Sequence, residues 1–417
     1  MKKKIIFLAL IVVMILSFVL TGCSSSKKNK IKVGYWYNNA NEKANNQLII
    51  DEFKKLYPEY EIEMVYIPYN SYSEQVLSMA AAGNLPDVLW VKEKYLTIFA
   101  EKEIIENLDP YIQADTDFDP ERYISNALEY SKIDGKQYAL PRDIGVQVMA
   151  LNLDIFAEYG ADLPNADWTW DDMIALGQEL TIEEDGKIVQ YGLGWLDYES
   201  LIYSNGGRLF SDDGRIAYFD EPATMEAIQM YADLINKYHI SPTPSESQGM
   251  GNVFLGGKAA MALIGPWDFA TLNNLGIRFD IVPFPRGPMG TGEMKLSGLP
   301  IAMNANSKHK DIAYELIKFL SYSDTAQQML ADYAIAMPVI EDIAKSEEFV
   351  KSDRTPDSMD NYFSALENTK ILNHFDGEME ALNVFSPYLD EIYLGDKRVE
   401  DLAEEMQAAI QETLDEQ

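Results

Sequence analysis

Residues 31–91 read IKVGYWYNNANEKANNQLIIDEFKKLYPEYEIEMVYIPYNSYSEQVLSMAAAGNLPDVLWV and alternate between two hydrophobic patterns. Period-two runs of β-branched and aromatic residues are typical of strands, and apolar residues spaced by three or four are typical of helices. The pattern predicts strands at 31–37, 61–67 and 87–91 and helices at 41–57 and 71–82. This order indicates an α/β domain with a mainly parallel sheet.

The rest of the chain continues in the same manner. Asp134-Gly135 is a hairpin turn between short apolar segments, and Thr169 with Asp172 three residues later is typical of a capping box at a helix start. Strands are predicted at 146–153, 189–195, 258–264 and 277–284, a helix at 222–238, and mostly helices from 311 onward. A length of 417 residues predicts at least two domains.

Composition and charge exclude several classes of protein. With 47% apolar and 24% charged residues, the chain has the balance of a globular protein and not that of a disordered, collagen-like or multi-span one. A net charge of −33 argues against a nucleic-acid binder, because neutralising phosphates needs clustered cations. The lone cysteine and three scattered histidines predict no disulfide, no metal site and no cofactor. The run Asp115-x-Asp117-x-Asp119 starts like a calcium loop, but Pro120 stands where that loop needs glycine.

The first thirty residues predict where the protein is located. Three lysines precede an apolar run at 5–20, which is typical of a secretory signal peptide spanning 1–22. Leu20-Thr21-Gly22-Cys23 looks like a bacterial lipobox, so we expect cleavage before Cys23 and acylation of its sulfur, with palmitate among the chains. The alternative is a signal anchor with an incidental cysteine. Residues 23–30 then form a polar tether, and the folded part lies on the extracytoplasmic face of the cell membrane, where an ATP- or NAD-dependent enzyme is disfavoured.

An ordered set of short segments resembles the family 1 extracellular solute-binding proteins, which include the maltose-binding proteins. The set covers residues 31 to about 335 and is weak after that. Its main members are Ala81-Ala82-Gly83-Asn84-Leu85-Pro86-Asp87-Val88, Asp134-Gly135-Lys136-Gln137-Tyr138-Ala139-Leu140-Pro141, Trp168-Thr169-Trp170, Asn205-Gly206-Gly207, Gly257-Lys258-Ala259-Ala260-Met261 and Gly265-Pro266-Trp267.

The resemblance implies two α/β lobes, each with a mainly parallel sheet flanked by helices, joined by a hinge and enclosing a ligand cleft. We place lobe 1 at 31–141 and 286–321, lobe 2 at 145–281 and 324–417, and the crossovers near 140–144, 282–285 and 321–323. The implied function is the binding subunit of an ABC importer. It would capture a mono- to oligosaccharide without catalysis, close about the hinge and deliver the sugar to the permease, and we expect a monomer.

Candidate ligand contacts lie where strands become loops. A sugar ring stacks its C–H face on an aromatic ring, and its hydroxyl groups need paired donors and acceptors. The candidates are Trp36, Asn38, Glu42, Trp90, Arg142, Asp143, Trp195 and Trp267, and Trp267 matches a sugar-stacking position of the resembled family. Each has a structural alternative: the tryptophans could cap the core, Arg142 and Asp143 could form an ion pair, and Glu42 could complement its helix dipole. We expect Trp168 and Trp170 to pack on their lobe.

Other functions stay open at this point. Carboxylates with tryptophans also build the sites of secreted glycoside hydrolases, which need two carboxyl groups facing one bond. A protein of the same fold could bind a metal or another non-sugar solute, since the chain has many tyrosines. A lipoprotein that presents its ligand to a membrane sensor would share the same sequence features.

Overall fold

The computed structural model describes residues 29–37, 39–243, 246–247 and 252–416. The predicted signal peptide, the predicted acylation site Cys23 and the candidate Asn38 lie outside these residues. In the described ranges, no helix is both long enough and apolar enough to cross a bilayer.

The fold consists of fourteen strands and sixteen α-helices within those ranges, apart from short 3₁₀ turns. The strands are β1 Asn29–Tyr35, β2 Tyr60–Tyr66, β3 Val88–Trp90, β4 Lys132–Ile133, β5 Lys136–Gln137, β6 Ala139–Gly145, β7 Val148–Asn152, β8 Ile182–Glu184, β9 Lys187–Leu193, β10 Ala259–Ile264, β11 Phe279–Val282, β12 Met294–Lys295, β13 Ser297–Met303 and β14 Thr369–Lys370. The helices are α1 Ala40–Leu56, α2 Tyr72–Ala81, α3 Glu93–Glu101, α4 Asp109–Ala114, α5 Leu153–Tyr159, α6 Trp170–Glu179, α7 Tyr198–Ser204, α8 Pro222–Asn236, α9 Phe269–Asn274, α10 Lys310–Tyr322, α11 Asp324–Asp332, α12 Glu341–Ala344, α13 Glu347–Val350, α14 Met359–Glu367, α15 Glu378–Tyr393 and α16 Val399–Asp415.

Local sequence signals account for many of these boundaries. Helix α1 ends at Leu56, ahead of Pro58, as the pattern predicts. Thr169 and Asp172 form the predicted capping box, with both reciprocal hydrogen bonds present. Asp134 and Gly135 have φ values of 49° and 72°, the conformation that a tight hairpin between β4 and β5 requires.

Two five-stranded sheets form the centres of the two lobes. The first has the order β2-β1-β3-β13-β6, and the second has the order β11-β7-β10-β9-β8. In the first sheet β1 runs parallel to β2 and β3, whereas β13 runs antiparallel to β3 and β6. In the second sheet only β9 and β10 are parallel.

The prediction of a mainly parallel sheet in each lobe is therefore wrong for the second sheet, and the first is mixed. The antiparallel strands β6, β7, β11 and β13 border the segments that carry the chain from one sheet to the other. A chain that crosses between lobes must enter and leave each sheet, so these strands need not follow the helix-linked parallel order. The remaining antiparallel pair, β8 with β9, is a hairpin.

Each sheet has its own hydrophobic core, and the two cores divide the chain somewhat differently from the predicted lobes. The first core includes Ala326 and Leu330 of α11, although residues 324–417 were expected in the second lobe. The second core includes Met294 and Leu296, although 286–321 was expected in the first lobe. Tyr123, Ile124, Ala127 and Tyr130 also pack in the second core, although 31–141 was expected in the first lobe. Which core an amphipathic segment covers depends on the path of the chain and not on its local sequence.

Candidate ligand cleft

The carboxyl ends of β1, β2 and β3 together carry a group of aromatic side chains. The Trp36 ring lies 4.8 Å from that of Tyr72, 5.3 Å from that of Trp90 and 5.5 Å from that of Tyr69, measured between centroids. The ring centroids of Tyr37 and Tyr66 lie 4.3 Å apart and form a second aromatic contact. Because parallel strands end at one edge, this edge of the first lobe presents aromatic faces to its surroundings. We call Trp36, Tyr37, Tyr66 and Tyr69 the aromatic wall; Tyr66 and Tyr69 are 45% and 49% exposed.

Polar side chains lie directly behind the aromatic wall. Arg142 donates from Nε to Asp143 Oδ2 at 2.8 Å and from its terminal nitrogen to Asn46 Oδ1 at 3.1 Å, and all three residues are buried. The guanidinium also lies 4.5 Å from the centre of the Trp90 ring. Burial raises the pKa of Asp143, and Arg142 opposes that rise. The ion pair expected as the structural alternative for Arg142 and Asp143 is thus present, at the end of the strand that leads into the second lobe.

This group also contains donors without acceptors. Trp90 Nε1 and Asn46 Nδ2 are buried, and neither has a hydrogen-bond partner within the described part of the chain. An unpaired buried donor costs free energy, so an oxygen of a ligand or of an ordered water would stabilise this place.

The second lobe contributes two exposed tryptophans from neighbouring parallel strands. Trp195 follows β9 and is 51% exposed, and its carbonyl accepts from Leu263 of β10 at 3.0 Å. Trp267 follows β10 in the 3₁₀ turn Pro266–Asp268 and is 39% exposed. A side chain at Gly145, the last residue of β6, would meet Pro266 at 3.2 Å, so the Trp267 turn lies against the segment that joins the lobes.

Asp268, beside Trp267, has an unusual environment for a carboxylate. It accepts one hydrogen bond, from the Gly265 N–H at 3.0 Å. Burial raises its pKa to about 6, which the bond to Gly265 only partly offsets. A carboxyl group with a raised pKa is thus the sequence neighbour of a candidate stacking residue. The sequence indicated Trp267 but not Asp268.

The sequence analysis did not predict a cluster of charged side chains that lies between the lobes. Lys94 of α3 donates to Glu199 Oε1 at 2.7 Å, and Lys295 of β12 donates to Glu199 Oε2 at 2.6 Å. Tyr69 of the aromatic wall lies in the electrostatic range of both lysines, and the Lys92 ammonium is 3.9 Å from the centre of its ring. The three charged positions are about a hundred residues apart in sequence, and no local pattern marks any of them.

The predicted site residues thus form one contacting set in the first lobe and one pair at a shared strand edge in the second, with Glu42 and Asn38 remaining. Trp36, Trp90, Arg142 and Asp143 form one chain of contacts in the first lobe, and Trp195 and Trp267 share one strand edge in the second. Glu42 lies in the first turn of α1, where its N–H donates to Asn39 Oδ1 at 2.9 Å. Asn38 lies outside the described residues. Trp168 and Trp170 are buried and donate to Pro283 O and Ser204 Oγ, as expected for packing residues.

Two cavities help to locate the site. One of about 380 Å³ in the second lobe is lined by Trp195, Tyr231 and Tyr393, and it adjoins the cleft edge. A larger one of about 590 Å³ lies at the opposite, amino-terminal edge of the first sheet near Lys32 and Asp87. Its lining lacks tyrosine, tryptophan and phenylalanine, so we do not assign the ligand to it. Among the described residues, no group of three or more His, Cys, Asp or Glu side chains is arranged to hold a metal ion.

Two lobes that each carry aromatic side chains at strand ends, joined by crossing segments, define a two-lobe ligand-binding protein. A sequence model of the bacterial extracellular solute-binding proteins matches residues 39–327, which is more than half of the chain. The chain belongs to this family, and its predicted resemblance is confirmed.

Named relatives share about a quarter of their residues with the chain. The arabinooligosaccharide-binding protein of Bacillus subtilis is 24% identical over 382 residues, which cover 86% of each chain. The maltotriose-binding protein of Pyrococcus abyssi is 26% identical over 336 residues, covering 77% of this chain and 69% of the relative.

A solved structure shows the same fold. The ABC substrate-binding protein from Listeria monocytogenes in complex with cycloalternan superposes with a TM-score of 0.84. The match covers 93% of this chain and 99% of that one at 22% identity. The two-lobe α/β architecture is thereby confirmed.

Proposed function

We propose that this protein captures a carbohydrate, a mono- to oligosaccharide, in the cleft between its lobes and delivers it to the permease of an ABC importer. The observation that carries the proposal is the presence of exposed aromatic side chains at strand ends of both lobes, with buried unpaired donors of Trp90 and Asn46 in the first lobe. Stacking on such faces and hydrogen bonding to such donors are what a polyhydroxylated ring needs. The relatives named for arabino-oligosaccharide and maltotriose binding support the same class of ligand.

In this proposal the protein binds its ligand and does not cleave it. The lobes rotate about the three crossing segments, near 142–148, 297–298 and 332–340, and the ligand shifts the population toward the closed arrangement. Family membership supports a role in solute binding. Incubation with oligosaccharides tests this directly, because release of new reducing ends would show hydrolysis and contradict the proposal.

The first test of ligand class is a titration with mono- and oligosaccharides, including arabino-oligosaccharides and maltotriose. Tryptophan fluorescence and the thermal midpoint are followed together, because a ligand that binds the native state raises stability by mass action. A sugar that changes both supports the proposal. If no sugar in the panel changes either, the carbohydrate assignment is wrong, and peptides, polyols, amines and metal ions come next.

Substitution of Trp267 localises the binding. Trp267→Ala should weaken the affinity at least about tenfold, equivalent to roughly 1.4 kcal/mol, with little change in stability because the ring is half exposed. Tyr159→Ala is the matched control, since Tyr159 at the end of α5 is 40% exposed and belongs to none of the contacts above. Equal affinities of wild type and Trp267→Ala would remove Trp267 from the site.

We further propose that the mature protein is a monomer, held on the extracytoplasmic face of the membrane by acyl chains on Cys23. The sequence Leu20-Thr21-Gly22-Cys23 after an apolar run supports the lipid anchor. Radiolabelled palmitate should be incorporated into the wild-type chain in cells and not into Cys23→Ala. An unlabelled wild-type chain would exclude the anchor.

A further inference from the structure

One buried ion pair joins the two lobes directly. Lys94 belongs to α3, whose Leu96 and Phe99 lie in the first core, and Glu199 belongs to α7, whose Leu201 lies in the second. The Lys94 Nζ to Glu199 Oε1 distance is 2.7 Å. The carboxylate is 9% exposed and the lysine side chain 25%. The contact therefore lies between the lobes and largely away from water.

The second oxygen of the same carboxylate has a partner in its own lobe. Lys295 donates to Glu199 Oε2 at 2.6 Å, and its neighbours Met294 and Leu296 pack in the second core. Burial by itself would raise the pKa of Glu199, but Lys295 and Lys94 together hold it well below the usual range. Glu199 therefore stays ionised, and it keeps a cation even when Lys94 moves away.

Because Glu199 has this second partner, the lobes can separate and close again at a moderate cost in free energy. Breaking a buried pair is expensive mainly when one charge is left buried without a partner. Here the carboxylate retains Lys295, and Lys94 can reach water as its lobe swings out. The pair can then form and break with lobe motion without trapping an unpaired charge.

A second ion pair between the lobes, just after the end of the same helix, provides a comparison. Lys102, after the last residue of α3, pairs with Asp376 at 2.8 Å, but these side chains are 46% and 57% exposed. Asp376 lies next to Phe375, which packs against the second core. Exposed pairs contribute little, because water and salt screen them. If the buried pair holds the lobes together, its removal should change the arrangement of the lobes, whereas removal of the exposed pair should not.

We propose that the Lys94–Glu199 pair is an electrostatic tie that favours the closed arrangement of the lobes before ligand binds, and so raises the affinity of the cleft. Only a closed population binds tightly, and a tie that raises this population lowers the apparent Kd. The statement about affinity rests on the proposed function, whereas the statement about the lobes does not.

Small-angle X-ray scattering of the ligand-free protein tests the tie without any ligand. The variants are Lys94→Met, which removes the tie and leaves Glu199 paired with Lys295, and Lys102→Met, which removes the exposed pair. Lys94→Arg keeps the charge as a rescue. We expect a larger radius of gyration for Lys94→Met alone, with wild-type values for the other two. An unchanged radius in Lys94→Met overturns the proposal, whatever the protein binds.

Affinity for maltotriose, followed by tryptophan fluorescence, tests the second part. Lys94→Met should raise the Kd about tenfold, a coupling in the usual range for linked conformational equilibria, and Lys102→Met should not change it. A lower Kd in Lys94→Met would mean that the pair competes with the ligand, which overturns the role in affinity. Should wild type fail to bind maltotriose, the carbohydrate assignment fails for this sugar, and the scattering result still decides whether the tie exists.

Discussion

Replacing Arg142 by methionine should destabilise the first lobe by about 3–5 kcal/mol, the range for removing one partner of a buried ion pair. Arg142 and Asp143 are only 5% and 6% exposed, so water cannot replace the lost partner. The substitution leaves the Asp143 carboxylate without its cation and removes the donor to Asn46 Oδ1. Methionine keeps much of the volume that packs on Trp90, so the loss is mainly electrostatic.

The pH dependence of this loss follows from the same carboxylate. Burial already raises the pKa of Asp143 above 3.8, and without Arg142 only the backbone hydrogen bond from Leu299 offsets that rise. A carboxyl group with a raised folded pKa loses stability as pH rises through that pKa, because the folded chain must give up the proton it prefers to keep. The loss in free energy of unfolding of Arg142→Met relative to wild type should therefore be smaller at pH 5 than at pH 8.

Thermal unfolding of four chains at both pH values measures the effect. They are wild type, Arg142→Met, Asp143→Asn and the double variant. At about 2 °C of Tm per kcal/mol, the Tm of Arg142→Met should fall by roughly 6–10 °C at pH 8. The double variant should recover part of this loss in Tm. Arg398→Met, which breaks an exposed contact to Glu400, should change little. A change below about 1 kcal/mol, or an equal deficit at both pH values, would refute the reasoning.

Three further predictions follow from single groups. Lys295 and Lys94 lower the pKa of Glu199 from 4.5, so the stability that this carboxylate contributes is complete above pH 4.5 and is lost as pH falls below that value. The Tm of Glu199→Gln should therefore decline less steeply than that of wild type between pH 5 and 3. Equal slopes for the two proteins would contradict the assignment. The pKa of Asp268 rises from 3.8 to about 6, so this group should cost up to about 3 kcal/mol as pH rises through that window. Asp268→Asn should abolish that part of the pH profile, and a pKa near 4 from NMR titration of the wild type would rule it out. A Cβ at position 192 would lie 1.9 Å from the backbone oxygen of Gly177, so Gly192→Ala should cost about 3 kcal/mol or more in urea unfolding. Gly256→Ala, with its nearest neighbour at 3.5 Å, should be close to neutral, and equal midpoints for the two variants would exclude the close approach of α6 to β9.

Much of the secondary structure could be predicted because its causes are local. Apolar spacing and Pro58 place α1, and reciprocal hydrogen bonds three residues apart place the start of α6. The exposed tryptophans of the second lobe could also be predicted as candidates, because Trp195 ends one predicted strand and Trp267 lies three residues after another. Such signals depend on bonds and contacts within a few residues, which the order of amino acids contains.

Strand direction in the second sheet could not be predicted in the same way. Among its described neighbouring strands only β9 and β10 pair in parallel, because β7 enters the sheet from a crossing and runs opposite to both of its neighbours, β10 and β11. Helix α11 likewise has an amphipathic pattern that either lobe could cover, and the path of the chain places its Ala326 and Leu330 in the first core.

The amino-acid order alone determines the α/β class, the approximate bounds of several helices and strands, and the family, since periodicity, turn chemistry and motif order are properties of neighbouring residues. The tertiary structure alone decides which charges meet. Lys94, Glu199 and Lys295 are separated by about a hundred residues at each step, and Trp90, Asn46 and Arg142 come from three different elements. Burial makes these contacts strong by excluding water, and burial exists only once both sheets have assembled their cores.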